Sequence, residues 1–131
     1  MESIEVNKKV EEIKKDSIIH VECSWGLDSC GSAGYLVTKD GELYSYQSFV
    51  FVPEGMEEGM TDDFRKEKVV SEEFKKEIQD YFEKNIKGKH FPYVMIFDAS
   101  YIVTINNVSI HDYVEIYDDV IKIIKNEINR A

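Results

Sequence analysis

The stretch Ser17–Val52 constrains the fold more than any other. From Ile18 to Trp25 the residues alternate: Ile19, Val21, Cys23 and Trp25 fall on one side, and His20, Glu22 and Ser24 on the other. That is the period of a half-buried strand with a polar, solvated outer face. Gly26–Gly34 reads as a loop by composition, with glycines at 26, 31 and 34 and serines at 29 and 32. Gly34–Thr38 and Glu42–Val52 are then two strands of a hairpin closed by Lys39-Asp40-Gly41. In the second, Tyr44, Tyr46, Val50 and Val52 share a face, while Phe49 and Phe51 populate the other. Helices elsewhere in the chain are expected to pack on the sheet that this stretch begins.

Those helices are legible from their apolar periods. Val6, Val10 and Ile13 form a narrow stripe in the charged segment Met1–Asp16. Pro53–Lys68 holds two glycines, a proline and six acids, and is expected to be a mobile acidic surface connection. Ser71 predicts the cap of the best-defined helix. Glu72 and Glu73 lie at its positive end, Phe74, Ile78, Tyr81, Phe82 and Ile86 form its stripe, and Gly88 stops it. Tyr93–Asp98 and Tyr101–Asn106 read as strands separated by Ala99-Ser100, with Asn106-Asn107 turning into Val108–His111. A last helix starts between Asp112 and Asp118, and Asp112 with Glu115 suggests a capping box. Its stripe is Ile116, Val120, Ile124 and Ile128.

The order is therefore helix, three strands, helix, three strands, helix. Short turns between strands imply antiparallel pairing, so the expected fold is α+β, a mainly antiparallel sheet covered by helices. The 131 residues, 43% of them hydrophobic, suit one domain over 1–131 with a real core.

Charge sets the expected partners. The chain carries 26 acidic and 16 basic residues, a net charge of −10, and only residues 69–90 are balanced. Such a field repels nucleic acid and anionic membranes and favours basic proteins, although net negative charge also simply keeps a small protein soluble. Two cysteines are too few for a disulfide framework. Met1–Lys15 is charged throughout, and no apolar run approaches the roughly 18 residues that cross a membrane. A reduced cytoplasmic location is the expectation. Abundant Ile and Lys hint at an AT-rich bacterial or phage genome.

Candidate chemistry is sparse. His20, Cys23 and Cys30 have a loosely zinc-like spacing, but His20 and Cys23 point to opposite faces of an extended strand and cannot close on one ion. Cys23 is better read as a small core residue. Cys30, in a small-residue loop, is a conceivable nucleophile only if His20, His90 or His111 arrives as base, with Asp28 to orient it. Gly26–Gly34 lacks the phosphate-loop pattern, because no lysine or arginine lies between Ser17 and Thr38. His20, Glu22 and Ser24 share a strand face and permit an acid–base pair, with a solvated face as the plainer reading. The acids of Pro53–Lys68 do not have calcium-loop spacing. No cofactor or metal is expected.

The acidic connection has a further use. Glu54, Glu57, Glu58, Asp62 and Asp63 can steer a Lys/Arg-rich surface, with Met56, Met60 and Phe64 as apolar anchors. The resulting expectation is a small, acidic, non-catalytic binding protein. It would inhibit a basic protein partner, such as a nuclease toxin or other nucleic-acid-handling factor. In size and charge, though in no motif, it resembles a bacterial immunity protein or a phage-encoded inhibitor. One alternative is a small-molecule-binding or enzymatic domain using Gly26–Gly34 and Cys30. Another is a structural or assembly subunit that self-associates through the apolar end of Glu42–Val52 or an uncovered strand edge.

Overall fold

The alternating stretch becomes the middle of a sheet. In the computed structural model, which describes residues 3–25, 30–51, 63–92 and 99–130, strand β1 (Ser17–Trp25) pairs on both sides. It lies antiparallel to β2 (Cys30–Thr38) and to β5 (Ala99–Ile105). With β3 (Glu42–Phe51), β4 (Asp63–Val69) and β6 (Val108–His111), the described strands form an antiparallel sheet of order β4-β3-β2-β1-β5-β6. The helices are α1 (Ser3–Lys14), α2 (Glu72–Asn85) and α3 (Val114–Ile128). The expected α+β architecture is the observed one.

The two sheet faces are covered unequally. Ile19, Val21, Val37, Leu43, Val103 and Ile105 point to one face, where Phe74, Ile78 and Phe82 of α2 and Val120 and Ile124 of α3 close the main core. On the opposite face α1 lays Val10 and Ile13 onto Leu36 and Tyr46, with Tyr44 and Phe64 beside them. The narrow stripe of α1 therefore finds a second, smaller core, and the sheet is a middle layer between helices.

Local sequence explains the joints. Gly41 adopts φ +85° in the β2–β3 turn, and Asn106 and Asn107 adopt φ 50° and 68° between β5 and β6, the left-handed pair that a two-residue hairpin requires. Ser71 caps α2, its hydroxyl accepting from the Phe74 amide at 3.2 Å.

Several expectations are corrected. Cys30–Gly34 is strand rather than loop; residues 26–29 lie outside the described residues. The glycines there serve close packing, since a Cβ on Gly31 would stand 2.5 Å from the Ser48 carbonyl oxygen. The acidic connection is shorter than expected, because Asp63–Val69 pairs with β3 as an edge strand. Residues 52–62 lie outside the described residues. Among the described residues four strands, not three, thus precede α2. Tyr93–Asp98 also lies outside the described residues, and no break occurs at Ala99-Ser100, because β5 starts at Ala99 and pairs Ser100 with Ser24. The Asp112–Glu115 capping box does not form. Asp112 turns to φ 66° and its carboxylate accepts the Tyr101 amide at 2.9 Å, leaving Tyr113 at the N-cap without a side-chain bond.

The described edges bear on self-association. β4 reads DFRKEKV, with five charged residues of seven, and β6 spans only four residues. Charge and shortness are the two usual ways of blunting a strand edge. Among the described residues no helix is long and apolar enough to cross a membrane.

Candidate functional site

The polar side of β1 is not the solvated face its sequence predicts. His20 is only 3% exposed, and the Tyr46 ring of β3 stacks beside it at 6.3 Å. Register explains what it meets. Glu22 stands opposite Gly34 on β2, and Gly34 stands opposite Tyr46 on β3. With no side chain at Gly34, the Tyr46 ring lies across β2 and reaches β1; a Cβ at position 34 would sit 2.8 Å from the phenol oxygen. Tyr46 Oη donates to Glu22 Oε2 and lies 2.8 Å from His20 Nε2. Ser24 Oγ donates to Glu22 Oε1 at 3.1 Å.

Proton placement follows from the partners. The single phenol proton goes to the carboxylate, so Tyr46 Oη accepts from His20 Nε2–H, which fixes the ring tautomer. Burial works to raise the Glu22 carboxyl, but the hydrogen bonds from His20, Tyr46 and Ser24 outweigh it and hold the group below its ordinary range. Burial, and then the adjacent Glu22 charge, push the Tyr46 phenol far up. This Tyr46 is a fixed hydrogen-bond donor and a poor nucleophile. His20 Nδ1 is buried without a partner among the described residues.

Glu22 is the accessible end of this chain of bonds, its side chain 20% exposed. Ser100, Ser109 and His111 are exposed and Ile102 and Thr104 half-buried, and Thr104 and Ser109 share a hydrogen bond of 2.9 Å. A preorganised carboxylate therefore opens onto a strand face of hydroxyls. It can accept hydrogen bonds from an ammonium or guanidinium.

Replacing Tyr46 by Phe tests the assignment. It strips Glu22 and His20 of a shared partner and is expected to cost about 2 kcal/mol. The Glu22 titration should also move up toward the ordinary carboxylate range. Urea unfolding and carboxyl NMR read the two effects; a variant that changes neither would show that the bonds contribute nothing.

The residues proposed from sequence divide between settings. Glu54, Met56, Glu57, Glu58, Met60 and Asp62 lie outside the described residues. Asp63 and Phe64 are on β4, where Asp63 pairs with Arg65 and Phe64 stacks on Tyr44 at 5.4 Å, with Lys9 over its ring. His20 and Cys23 do point to opposite faces, and among the described residues no cluster of three His, Cys, Asp or Glu side chains could hold a metal. Burial and then the Glu22 charge raise the half-buried Cys23 thiol, against a hydrogen bond with Tyr101, so it is not an activated thiol.

Sequence reasoning put His20, Glu22 and Ser24 on one face but missed Tyr46, which joins His20 to Glu22. Its signal was present, since Glu22 pairs with a glycine on the next strand, and that glycine pairs with a tyrosine on the strand beyond. Reading it required the strand register. No protein-family model, curated protein or solved structure matches this chain.

Proposed function

We propose that this chain is a small acidic binding protein that engages, and inhibits, a basic protein partner. The observation that carries the reading is the Glu22 carboxylate, held deprotonated by Tyr46, His20 and Ser24 and open to an uncharged, hydroxyl-bearing strand face. A carboxylate already desolvated and oriented loses little on receiving a Lys or Arg side chain. The net charge of −10 steers such a partner and repels nucleic acid, so the protein would occupy a site where the partner expects phosphates. The carboxylates of Glu54, Glu57, Glu58, Asp62 and Asp63, with Met56, Met60 and Phe64, supply a second contact region in this reading. It places the protein in the reducing cytoplasm, without cofactor or catalytic step.

The test is affinity purification of the tagged chain from its own cells at low salt, read by mass spectrometry. The expected result is a stoichiometric basic protein whose affinity falls steeply with salt. Glu22→Gln should weaken it about tenfold, the effect of one charged hydrogen bond. Charge reversal at Glu57, Glu58, Asp62 and Asp63 should weaken it further. Recovery of the chain alone, or binding indifferent to salt and to these changes, overturns the reading.

A further inference from the structure

A cleft of about 390 Å³ opens on the other face of the sheet, between β2, β3 and β4 and the side of α3. Its volume is that of a small-molecule site. Tyr35, Tyr117 and Ile121 form its apolar wall, and Glu67 and Lys125 also line it. Asp63 and Arg65 line it too, but they neutralise each other as an ion pair. The other two charges, Glu67 and Lys125, do not pair with each other among the described residues. Glu67 accepts from Ser45 Oγ at 2.6 Å and makes only a long ion pair with Arg65 Nε at 3.9 Å, while Lys125 makes no ion pair among the described residues. The Tyr35 and Tyr117 hydroxyls likewise have no hydrogen-bond partner among the described residues. Burial raises both phenols, so they are donors at neutral pH.

We propose that this cleft binds a free α-amino acid with an apolar or aromatic side chain. One cavity presenting a fixed carboxylate and a separate ammonium that do not satisfy each other is complementary to a zwitterion. Glu67 receives the ligand's amine, and Lys125 with the phenol hydroxyls receives its carboxylate. The Tyr35 and Tyr117 rings and Ile121 cover the side chain. A simple anion would meet Glu67 and a simple amine Lys125, each leaving one charge opposed. The site is on the face away from Glu22 and does not depend on the protein-partner reading.

Titration of the full chain with phenylalanine and leucine, followed by tyrosine and backbone NMR shifts, tests the assignment. Phenethylamine and phenylpropionate serve as probes lacking one charge. The expected result is saturable shifts at Tyr35 and Tyr117 at millimolar concentration or below, with both analogues at least about tenfold weaker. Glu67→Gln should erase the preference over phenylpropionate, and Lys125→Met the preference over phenethylamine. Both positions are solvent-facing enough that the fold should survive, which the unperturbed core resonances would verify. Absence of saturable shifts with either amino acid, or equal response to either analogue, overturns the proposal. Failure here leaves the salt-sensitive capture of a basic protein, and its dependence on Glu22, unaffected.

Discussion

Glu127→Ala should lower the unfolding free energy by about 3 kcal/mol, the melting temperature falling by about 10 °C for a domain of this size. Glu127 is fully buried in the last turn of α3. It accepts the Ser71 amide at 2.6 Å and the Ser71 hydroxyl at 2.8 Å, so an α3 side chain caps the N-terminal end of α2. Arg130 Nη1 donates to it at 2.6 Å and Lys68 Nζ lies 3.4 Å away. Arg130 also reaches Glu77 of α2 at 2.8 Å. Removing the carboxylate leaves the part-buried Ser71 amide without its acceptor and takes the counter-charge from Lys68, which keeps only backbone carbonyls, while Arg130 keeps Glu77. Such orphaning costs more than the net value of the bonds themselves.

The same residue sets an acid limb. Burial tends to raise the Glu127 carboxyl, but the Ser71 amide and hydroxyl and Lys68 outweigh it and hold the group below its ordinary value of 4.5. A folded-state value below the unfolded one contributes stability above about pH 4.5 and loses it as the pH falls through the folded-state value. Glu127→Gln should therefore be less stable than the wild type at pH 7, and the difference should shrink on acidification below pH 4.5. Urea midpoints at several pH values read this. A difference that stays constant down to the acid transition would mean that the carboxylate charge is not what joins the helices.

Gly34→Ala is expected to be equally damaging, costing about 3 kcal/mol or more, through overpacking rather than lost bonds. A Cβ there would overlap the Val21 carbonyl oxygen and crowd the Tyr46 ring, whose Cζ would be 3.0 Å away. Backbone cannot step aside as a flexible side-chain end can, so β1 and β2 must separate, and Tyr46 must shift as well. Gly88→Ala is the control. It sits at φ +74° with nothing within 4 Å of an added Cβ, so only left-handed strain of about 1 kcal/mol applies. Chemical denaturation of both variants decides it. A Gly34→Ala protein as stable as Gly88→Ala would mean that the close approach at β2 is easily relaxed. Adding Tyr46→Phe should not rescue Gly34→Ala, since the Val21 overlap remains.

Glu127 also marks where sequence reading stopped. Position 127 lies seven residues after Val120 and three after Ile124, squarely on the buried stripe of α3. A carboxylate there was a legible anomaly, but its partners Ser71 and Lys68 lie more than fifty residues away. Cys30–Gly34 failed for a different reason. Glycine and serine mark loops by local preference, whereas here Gly31 and Gly34 answer to neighbours on β1 and β3. Asp63–Val69 failed because a charged run is the composition of both a solvated connection and a guarded edge strand.

What the residues determined alone was local: the period of β1, the turns at Gly41 and Asn106-Asn107, the Ser71 cap and the stripes of α2 and α3. Each depends on backbone dihedrals and side-chain spacing within about one turn of chain, so the α+β class and the antiparallel hairpins follow from them. Tertiary structure alone decided which strands are neighbours and on which face each helix lands. From that came the burial of His20, the reach of Tyr46 across Gly34 to Glu22, the capping of α2 by Glu127, and the cleft where Glu67 and Lys125 stay apart. These are contacts between residues distant in sequence, set by register and by competition for buried surface, and no local preference encodes them.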